Sequence, residues 1–317
     1  MPVTTARNCA KSPEDSSAER VLVAGATGYI GHKLAVRLAE GNGPVRVMAR
    51  TPSKASDLAD AGCEVVEADV LKPATLAPAM KDVGVAYYLV HSMGRGAKED
   101  FEETDRRAAT NFAEAASEAG VERIIYLGGL GEGRSKHLRS RQETAEALKS
   151  TGLPLTYLRA AVVLGGGSES FRTVYYLVSR LPVMVTPRWT TTRTQPIAAD
   201  DVVAYLAASK ELDETNDITV ELGGPDITTY GGMMDEMADA MGKRPPRRIA
   251  VPLLTPGLSS LWIGLVTPVD TGVARPLVEG LTTETVVRDP DGMERFDIEP
   301  VGLTAAMKTA VEEMEAA

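Results

Sequence analysis

Residues 20–43 combine a strand, a glycine turn and a helix, and this combination limits the fold more than any other feature of the sequence. RVLVA at 20–24 is a short apolar run typical of a buried parallel strand. It leads into GATGYIG at 25–31 and then into HKLAVRLAEGN at 32–42, where apolar residues recur at helical spacing before a glycine stop. A strand, a three-glycine turn and a helix in this order are the context that a dinucleotide-binding site requires.

The three glycines of this turn have separate physical roles. Gly25 permits the tight turn, Gly28 lets the backbone approach a pyrophosphate without an intervening Cβ, and Gly31 allows the helix to pack closely on the strand. The helix N-terminus adds N–H donors and the positive end of the helix dipole. The turn residues predicted to bind the cofactor are Gly25, Thr27, Gly28, Tyr29, Ile30 and Gly31.

The end of the second strand indicates which nicotinamide cofactor is preferred. NAD-preferring folds place Asp or Glu there to hydrogen-bond the ribose 2′-hydroxyl. In this chain VRVMAR at 45–50 ends in Arg50, and Lys54 follows four residues later. A carboxylate would repel a 2′-phosphate, whereas a guanidinium can pair with it. We therefore predict NADP(H) in preference to NAD(H); the alternative is an arginine that only faces solvent.

Three further strands and one long helix follow the first unit. EVVEADV, VAYYLVHSM and ERIIYLGGLG predict strands at 64–70, 85–93 and 122–131, and the spacing of the alanines predicts a helix at 101–119. This alternation predicts an α/β fold with a Rossmann-type doubly wound parallel sheet. Ligands bind at the carboxyl ends of such strands. The candidates there are Asp69 and Val70 beside the adenine, and His91 and Ser92 facing the cofactor crevice.

The overall charge argues against nucleic acid as a partner. The formal net charge is -10 and the pI is about 5.0, whereas counterion release from nucleic acid needs a basic face. The basic run KRPPRR at 243–248 is short and is interrupted by two prolines. We interpret it as a solvated turn.

The cysteines and histidines argue against a metal site and against a disulfide framework. Cys9 and Cys63 are the only two cysteines of the sequence, and the three histidines form no metal-binding spacing. The first 19 residues are polar and lack the apolar core of a signal peptide, so we predict a disordered tail at 1–19. Together these features predict a cytoplasmic location.

An apolar stretch at 249–269 carries no charged residue across 21 positions. Three prolines and two glycines interrupt it, and in lipid the backbone groups that they free would be left without partners. We therefore predict no transmembrane span, and we interpret the stretch as a buried lobe or pocket wall. The alternative is peripheral contact with a membrane surface or an apolar partner.

Five segments taken in order resemble a known family. GATGYIG, YYLVHSM, RIIYLGGLG, HLRSRQE and RAAVVLGGGSESF are similar to an atypical branch of the extended short-chain dehydrogenase/reductases, the NAD(P)H-binding, NmrA-like group related to nucleoside-diphosphate-sugar epimerase-type proteins. The resemblance implies a Rossmann domain with a small C-terminal substrate lobe that closes over the nicotinamide. It also implies that Ala160 and Ala161 line the nicotinamide side. The expected units are a Rossmann domain at 20–165 and 195–224 and a lobe at 166–194 and 225–317.

The residues that catalyse hydride transfer in the wider superfamily are replaced here. Its members carry a Ser after the fifth strand, a Tyr that gives or takes the proton, and a Lys four residues after that Tyr. This chain has Gly128 and Gly129 where the Ser is expected, His137 for the Tyr and Arg141 for the Lys. These departures put the usual triad in doubt.

Helical spacing places Arg141 on the inward side of a helix at 136–150. A buried guanidinium needs a partner, which could be a cofactor or substrate oxygen or a buried carboxylate such as Asp105. One hypothesis is that Arg141 binds such a ligand oxygen while His137 donates the proton. The alternative is an arginine–aspartate clamp between helices, with His137 at the surface.

Three function hypotheses follow from these observations. The leading one is an NADP(H)-dependent oxidoreductase that reduces an apolar carbonyl or quinone-like acceptor, because hydride transfer to a conjugated acceptor does not strictly need the triad. The rival is a non-catalytic NAD(P)H-binding redox sensor or scaffold, and a third hypothesis is an assembly factor at a membrane surface. The sequence does not indicate an oligomeric state. The candidate substrate contacts are Ser168, Phe171 and Trp189.

Overall fold

The structure of the chain, a computed structural model, describes residues 20–91, 101–132, 135–186, 188–212, 215–250 and 281–316. Three of the predictions fall outside the described residues: the tail at 1–19, Ser92, and the apolar stretch beyond residue 250.

The described residues contain thirteen strands and nine α-helices. The strands are β1 (Arg20–Ala24), β2 (Val45–Ala49), β3 (Glu64–Glu67), β4 (Val83–Tyr88), β5 (Arg123–Gly129), β6 (Leu155–Ala160), β7 (Val163–Leu164), β8 (Val183–Thr186), β9 (Arg193–Thr194), β10 (Ile197–Ala198), β11 (Ile218–Leu222), β12 (Thr228–Thr229) and β13 (Arg247–Ala250). The helices are α1 (Tyr29–Glu40), α2 (Ser56–Asp60), α3 (Leu76–Met80), α4 (Phe101–Glu118), α5 (Lys136–Lys149), α6 (Glu169–Arg180), α7 (Ala199–Ser209), α8 (Tyr230–Ala240) and α9 (Leu303–Ala316).

Seven of the strands form one parallel sheet in the order β11-β6-β5-β4-β1-β2-β3. All residues of β2 and β4 are buried, as expected for central strands that are covered on both faces. The order reverses between β1 and β4, where the crevice of a doubly wound sheet opens. The predicted Rossmann-type fold class is confirmed.

Two groups of helices cover the two faces of this sheet. On one face, Leu34 of α1 and Val202 of α7 share a buried apolar cluster with strand residues such as Val23. On the other face, Phe112 of α4 and Leu148 of α5 share a second cluster with residues of β1, β4, β5 and β6. The positions where the usual catalytic residues are replaced therefore lie on the face of the sheet that α4 and α5 cover.

A third apolar cluster lies apart from the sheet. It joins α6, α8 and α9 through residues such as Leu177, Met233 and Met307. Short strand pairs connect these elements: β7 with β10, β8 with β13, and β9 with β12. Apart from β7 and β10, which fall in the ranges predicted for the Rossmann domain, these elements belong to the predicted substrate lobe, and the boundaries of both units stay a prediction.

Two predicted strands are shorter in the structure than their apolar letters suggested. β3 ends at Glu67, and Asp69 and Val70 lie in the turn that follows. β4 ends at Tyr88, before the predicted end at residue 93. The main chain still continues the pairing, because the N–H of Leu89 donates to the carbonyl of Ala24.

No helix among the described residues is both long enough and apolar enough to cross a membrane.

Candidate functional site: a dinucleotide crevice with a substituted catalytic edge

The glycine turn between β1 and α1 has the geometry of a cofactor cradle. Gly25 has φ +89°, and a Cβ on it would lie 2.5 Å from the carbonyl oxygen of Leu89. A Cβ on Gly31 would overlap the carbonyl of Gly25 and come within 3.0 Å of the Cα of Ala26. A Cβ on Gly28 would meet only the Gly25 carbonyl, at 3.3 Å. The packing of the chain therefore explains Gly25 and Gly31, whereas Gly28 leaves open the space that a cofactor backbone contact needs.

The N-terminus of α1 is suited to an anionic group. Gly28 is the N-cap residue, no side chain caps the helix, and its first turn holds no acidic residue. Thr27 and Gly28 are exposed, so the turn is accessible from solvent. Uncapped N–H groups and the positive end of the helix dipole favour a phosphate at this position. Ile30 is half-buried against the core of the sheet and fixes the first turn of the helix.

The end of β2 presents two exposed cations beside this cradle. Arg50 follows β2 directly, and Lys54 lies on a 3₁₀-helix at Pro52–Ala55. Among the described residues neither side chain has a hydrogen-bond or ion-pair partner. The N–H of Lys54 donates to the carbonyl of Thr51 at 3.0 Å, which closes the turn. Neither cation is therefore neutralised by a described carboxylate, and their predicted contact with a phosphate stays a prediction.

A histidine that the sequence analysis left unassigned supports the same loop. His32 Nε2 lies 2.7 Å from Oδ2 of Asp57, so α1 and α2 are joined next to the 3₁₀-helix. The hydrogen bond to His32 lowers the pKa of Asp57. The pair faces solvent on both sides, so its energetic contribution is small.

The turn after β3 holds the residues predicted to lie beside the adenine. Asp69 Oδ1 accepts a hydrogen bond from the N–H of Leu71 at 3.0 Å, and the N–H of Asp69 donates to Oγ1 of Thr75 at 3.0 Å. Val70 is buried, and its carbonyl accepts from Nδ2 of Asn111 at 2.8 Å. Asn111 lies on α4, and no motif or spacing in the sequence indicates that it contacts this turn. The turn is thus fixed from two sides.

The end of β4 forms the opposite wall of the crevice. Leu89 and Val90 are half-buried, and their main chain lies against Gly25. His91 is exposed at the end of this segment. The neighbouring Ser92 lies outside the described residues, so its predicted role stays a prediction.

At the end of β5 a tyrosine occupies the space of the expected serine. A Cβ on Gly128 would lie 2.6 Å from Cε2 and 2.7 Å from the hydroxyl of Tyr157, which is on the neighbouring strand β6. Tyr157 is 6% exposed, and its hydroxyl is buried. Burial raises the pKa of this hydroxyl above its ordinary value. A serine side chain at position 128 is therefore incompatible with Tyr157 in this conformation.

Tyr157 belongs to a row of tyrosines across the sheet. Tyr88, Tyr126 and Tyr157 are aligned by the registers of β4, β5 and β6, and the rings of Tyr126 and Tyr157 stack at 5.1 Å between centroids. Arg141 is directed toward this row from α5. Burial by itself would lower the pKa of Arg141, but the nearby Tyr126 and Asp105 outweigh it and raise the pKa.

The neighbours of Arg141 decide how its substitution is interpreted. Asp105 is buried on α4 and accepts from the hydroxyl of Ser140 at 3.2 Å. The inward orientation predicted for Arg141 agrees with these neighbours, which are those expected for a clamp between helices. Contact of Arg141 with a ligand stays a prediction. His137 lies in the first turn of α5, and its side chain lies outside the described residues.

The strand end at β6 is lined by small residues. Ala160 and Ala161 are buried, and the N–H of Ala161 donates to the carbonyl of Leu222 at 3.0 Å. The carbonyl of Ala160 accepts from the N–H of Leu130 at 2.7 Å. The backbone of this edge is thereby fixed on both sides. A role beside the nicotinamide stays a prediction.

The candidate substrate residues differ in how far they are buried. Ser168 is half-exposed at the N-terminus of α6, after the Gly165–Gly167 turn. Phe171 is fully buried in the α6, α8 and α9 cluster, and its predicted contact with a substrate stays a prediction. Trp189 lies on a 3₁₀-helix at Arg188–Thr191, and its side chain lies outside the described residues.

One cluster near the cofactor turn was missed by sequence reasoning. The hydroxyl of Tyr29 donates to Oε2 of Glu313 at 2.6 Å, and Nζ of Lys33 donates to Oε1 of the same carboxylate at 2.7 Å. Lys33 also pairs with Asp200 at 2.9 Å. The one sequence signal is that Tyr29 and Lys33 are four residues apart on one helix face; nothing local connects them to position 313.

Comparison with known proteins identifies the family. A family model described as NAD(P)H-binding matches residues 25–208, more than half of the chain. The chain belongs to this NAD(P)H-binding family. The matched region contains the glycine turn, both exposed cations and the edge formed by β4, β5 and β6. The resemblance inferred from the sequence is confirmed.

Individual relatives are more distant. A (4-alkanoyl-5-oxo-2,5-dihydrofuran-3-yl)methyl phosphate reductase of Streptomyces griseus is 30% identical over 143 residues, which cover 44% of this chain and only 46% of the reductase. NADH dehydrogenase (ubiquinone) 1 alpha subcomplex subunit 9, a mitochondrial protein of Arabidopsis thaliana, is 26% identical over 284 residues, which cover 84% of this chain and 70% of that subunit.

A solved structure shares the whole fold. The NADPH-dependent quinone oxidoreductase of Escherichia coli, in complex with NADPH, superposes with a TM-score of 0.72 at 21% identity. The superposition covers 90% of this chain and 98% of the other. At this identity the likeness shows the fold.

Proposed function

We propose that this NAD(P)H-binding protein is an NADP(H)-dependent oxidoreductase of the atypical short-chain class, which reduces an apolar carbonyl or quinone-like acceptor. The observation that carries the proposal is the pairing of an open cradle at Gly28 with the two exposed cations Arg50 and Lys54. The cradle suits a pyrophosphate, and the cations suit the 2′-phosphate that distinguishes NADP(H) from NAD(H).

The residues of the chain have binding and orienting roles in this proposal. A reduced nicotinamide, when bound, supplies a hydride. Gly28 and the α1 N-terminus would hold the pyrophosphate, Arg50 and Lys54 the 2′-phosphate, and Asp69 the adenine. Ala160 and Ala161 would line the nicotinamide side, where their small side chains leave room for a flat acceptor.

The substituted catalytic edge favours an acceptor that needs no serine. Tyr157 fills the space of that serine. Position 128 therefore carries no hydroxyl group that could orient a carbonyl substrate. A quinone-like or conjugated acceptor can take its proton from solvent after the hydride has arrived. His137 as proton donor and Arg141 as a ligand of the acceptor oxygen remain part of the proposal, with Ser168 and Trp189 as substrate contacts. The reductase from Streptomyces and the quinone oxidoreductase from Escherichia coli are consistent with this reaction class.

A second candidate function is a non-catalytic NAD(P)H-binding sensor or scaffold. The absence of the serine, tyrosine and lysine from positions 128, 137 and 141 is the observation that favours it. The likeness to a subunit of a larger complex in Arabidopsis supports it as well. In either case we propose a cytoplasmic protein without a nucleic-acid partner, for which peripheral membrane contact through 249–269 is the alternative.

Calorimetric titration with NADPH and with NADH tests the cofactor part of the proposal. We expect NADPH to bind at least about 10-fold more tightly than NADH, because only NADPH carries the 2′-phosphate that the two cations would bind. Arg50→Ala should remove most of that difference, whereas the matched control Arg37→Ala, an exposed cation in the last turn of α1, should not change it. Equal affinity of the wild type for both cofactors would contradict the NADP(H) preference.

An acceptor panel then separates the two functions. We expect NADPH consumption above the no-acceptor control with a quinone or another conjugated carbonyl. Tight NADPH binding without consumption on any acceptor would favour the sensor or scaffold.

A further inference from the structure

Glu313, in the last turns of α9, connects the end of the chain to the cofactor turn. We infer that Glu313 is a positioning residue: it holds Tyr29 and the Gly165–Gly167 turn in place, so that docking of α9 and binding of NADP(H) stabilise each other. This inference rests on the proposed function, because it concerns the same crevice.

One carboxylate joins three segments that are far apart in the sequence. Oε2 of Glu313 accepts from the hydroxyl of Tyr29 at 2.6 Å and from the N–H of Gly166 at 2.9 Å. Oε1 accepts from Nζ of Lys33 at 2.7 Å. Tyr29 is the first residue of α1, directly after Gly28, so the carboxylate acts next to the phosphate cradle.

The glycines at 165–167 are shaped around this contact. A Cβ on Gly165 would overlap the hydroxyl of Tyr29, and a Cβ on Gly167 would overlap its ring. A Cβ on Gly166 would lie 2.9 Å from Cβ of Glu313. Three consecutive glycines thus receive Tyr29 on one side and α9 on the other, and they lie between the β6 edge and Ser168.

The charges in the cluster indicate that the contacts of Glu313 with α1 are stable. Lys33 bridges Glu313 and Asp200, and its ammonium lies 5.5 Å from the centre of the Tyr29 ring. The side chains of Lys33 and Glu313 are 28% and 29% exposed, so solvent screens this pair less than a surface pair. Burial by itself would raise the pKa of Glu313, but the hydrogen bonds from Lys33, Tyr29 and Gly166 outweigh it and lower the pKa.

The helix that carries Glu313 is held independently of this carboxylate. Leu303, Met307 and Val311 of α9 are buried against α6 and α8. A change at Glu313 should therefore release Tyr29 and the glycine turn without unfolding α9. Ordering these groups before the cofactor arrives removes an entropic cost from binding, and the effect is reciprocal by thermodynamic linkage.

The test combines calorimetry with hydrogen exchange on the full chain. We expect NADPH to slow exchange in 303–316 of the wild type; Glu313→Ala should weaken NADPH binding about 10-fold and should remove this protection. Glu313→Gln keeps the size of the side chain and guards against a packing defect; since its amide cannot pair with the Lys33 ammonium as a carboxylate does, we expect a smaller loss in the same direction. Glu312→Gln is the matched control, because Glu312 is exposed and pairs with Lys308 on the surface of α9.

The outcomes separate the inference from the proposed function. If the wild type binds NADPH and Glu313→Ala binds it equally well with the same protection of 303–316, the inference is wrong and the proposed function stands. If the wild type binds no NADPH, the proposed function is wrong and the inference is overturned with it. Weakened binding together with lost protection supports the inference, provided that Glu312→Gln behaves as the wild type.

Discussion

Glycines occur at two sites on the same sheet for different structural reasons. In the turn after β1, a side chain on Gly25 or Gly31 would overlap backbone, while a Cβ on Gly28 would meet only the Gly25 carbonyl, at 3.3 Å. At the end of β5, a side chain on Gly128 would meet the ring of Tyr157. The first site leaves room for a ligand, and the second leaves room for another part of the chain.

This difference explains why one site follows its family and the other does not. Backbone geometry fixes the glycine turn, and no single side-chain change could compensate for its loss. At the β5 edge the loss of a serine is matched by a tyrosine on the adjacent strand. Positions 128 and 157 are therefore coupled by packing in this chain, and the two can be tested together.

The largest effect should come from Gly31→Ala. The new Cβ would overlap the carbonyl of Gly25, and both atoms belong to rigid backbone at the β1–α1 junction. We expect a loss of about 3 kcal/mol in the free energy of unfolding, from overpacking, measured by urea denaturation. Gly43→Ala is the control, because a Cβ there has no neighbour within 4 Å. A stability of Gly31→Ala within error of Gly43→Ala would contradict the close helix–strand packing.

A substitution at position 128 should be the next largest, and a second substitution should reverse it. Gly128→Ser places its Cβ 2.6 Å from Cε2 of Tyr157, whose ring is stacked on Tyr126 and cannot swing aside. We expect a loss of about 2 kcal/mol, and a coupling of about 1–2 kcal/mol when Tyr157→Val is combined with it in a double-mutant cycle. Tyr157→Phe is the matched control because it keeps the ring. Additive effects of Gly128→Ser and Tyr157→Val would show that the two positions are independent.

The sequence predicts the parts of the molecule that depend on local patterns. The strand, glycine turn and helix at 20–43, the cation at Arg50 and the parallel, doubly wound character of the sheet follow from spacing and residue type within short windows. Tyr157 and Gly128 meet across two strands, and Glu313 meets Tyr29 at a separation of 284 residues. Sequence periodicity does not predict contacts between distant segments, so these two contacts were found only in the structure. The full burial of Phe171 has a similar origin, since tertiary packing buries a ring that the sequence places after a flexible turn; its predicted substrate contact stays a prediction.

Gly28→Ala should separate stability from binding. Its Cβ would meet only the Gly25 carbonyl, at 3.3 Å, so we expect a change in unfolding free energy within about 0.5 kcal/mol. NADPH affinity should nevertheless fall about 10-fold, equivalent to about 1.4 kcal/mol, because the methyl group occupies the space of the pyrophosphate. Thermal unfolding and calorimetry on the same preparation measure both quantities. If stability and affinity fall in proportion, Gly28 is a packing glycine like Gly31, and the comparison drawn above fails at this position.

The smallest expected effect is the pH dependence of the contact between α1 and α9. The folded pKa of Glu313 lies below its ordinary value of 4.5, because hydrogen bonds from Lys33, Tyr29 and the Gly166 N–H outweigh the effect of burial. A lowered folded pKa contributes stability that is present above pH 4.5 and is lost as the pH falls through the folded value. Asp200 also pairs with Lys33, at 2.9 Å, and is left unchanged by a substitution at Glu313.

We therefore expect Glu313→Gln to be less stable than the wild type near pH 7 by less than about 1 kcal/mol, since the pair is still partly solvated. The difference should shrink as the pH falls below 4.5 and vanish once the carboxyl of the wild type is protonated. Urea denaturation of both proteins across this range measures it, with Glu312→Gln as the control on the exposed face of α9. A difference that persists unchanged at low pH would mean that the variant disturbs packing rather than charge. In that case Glu313 would hold Tyr29 by shape, and the glycines at 165–167 rather than the carboxylate would determine the position of the turn.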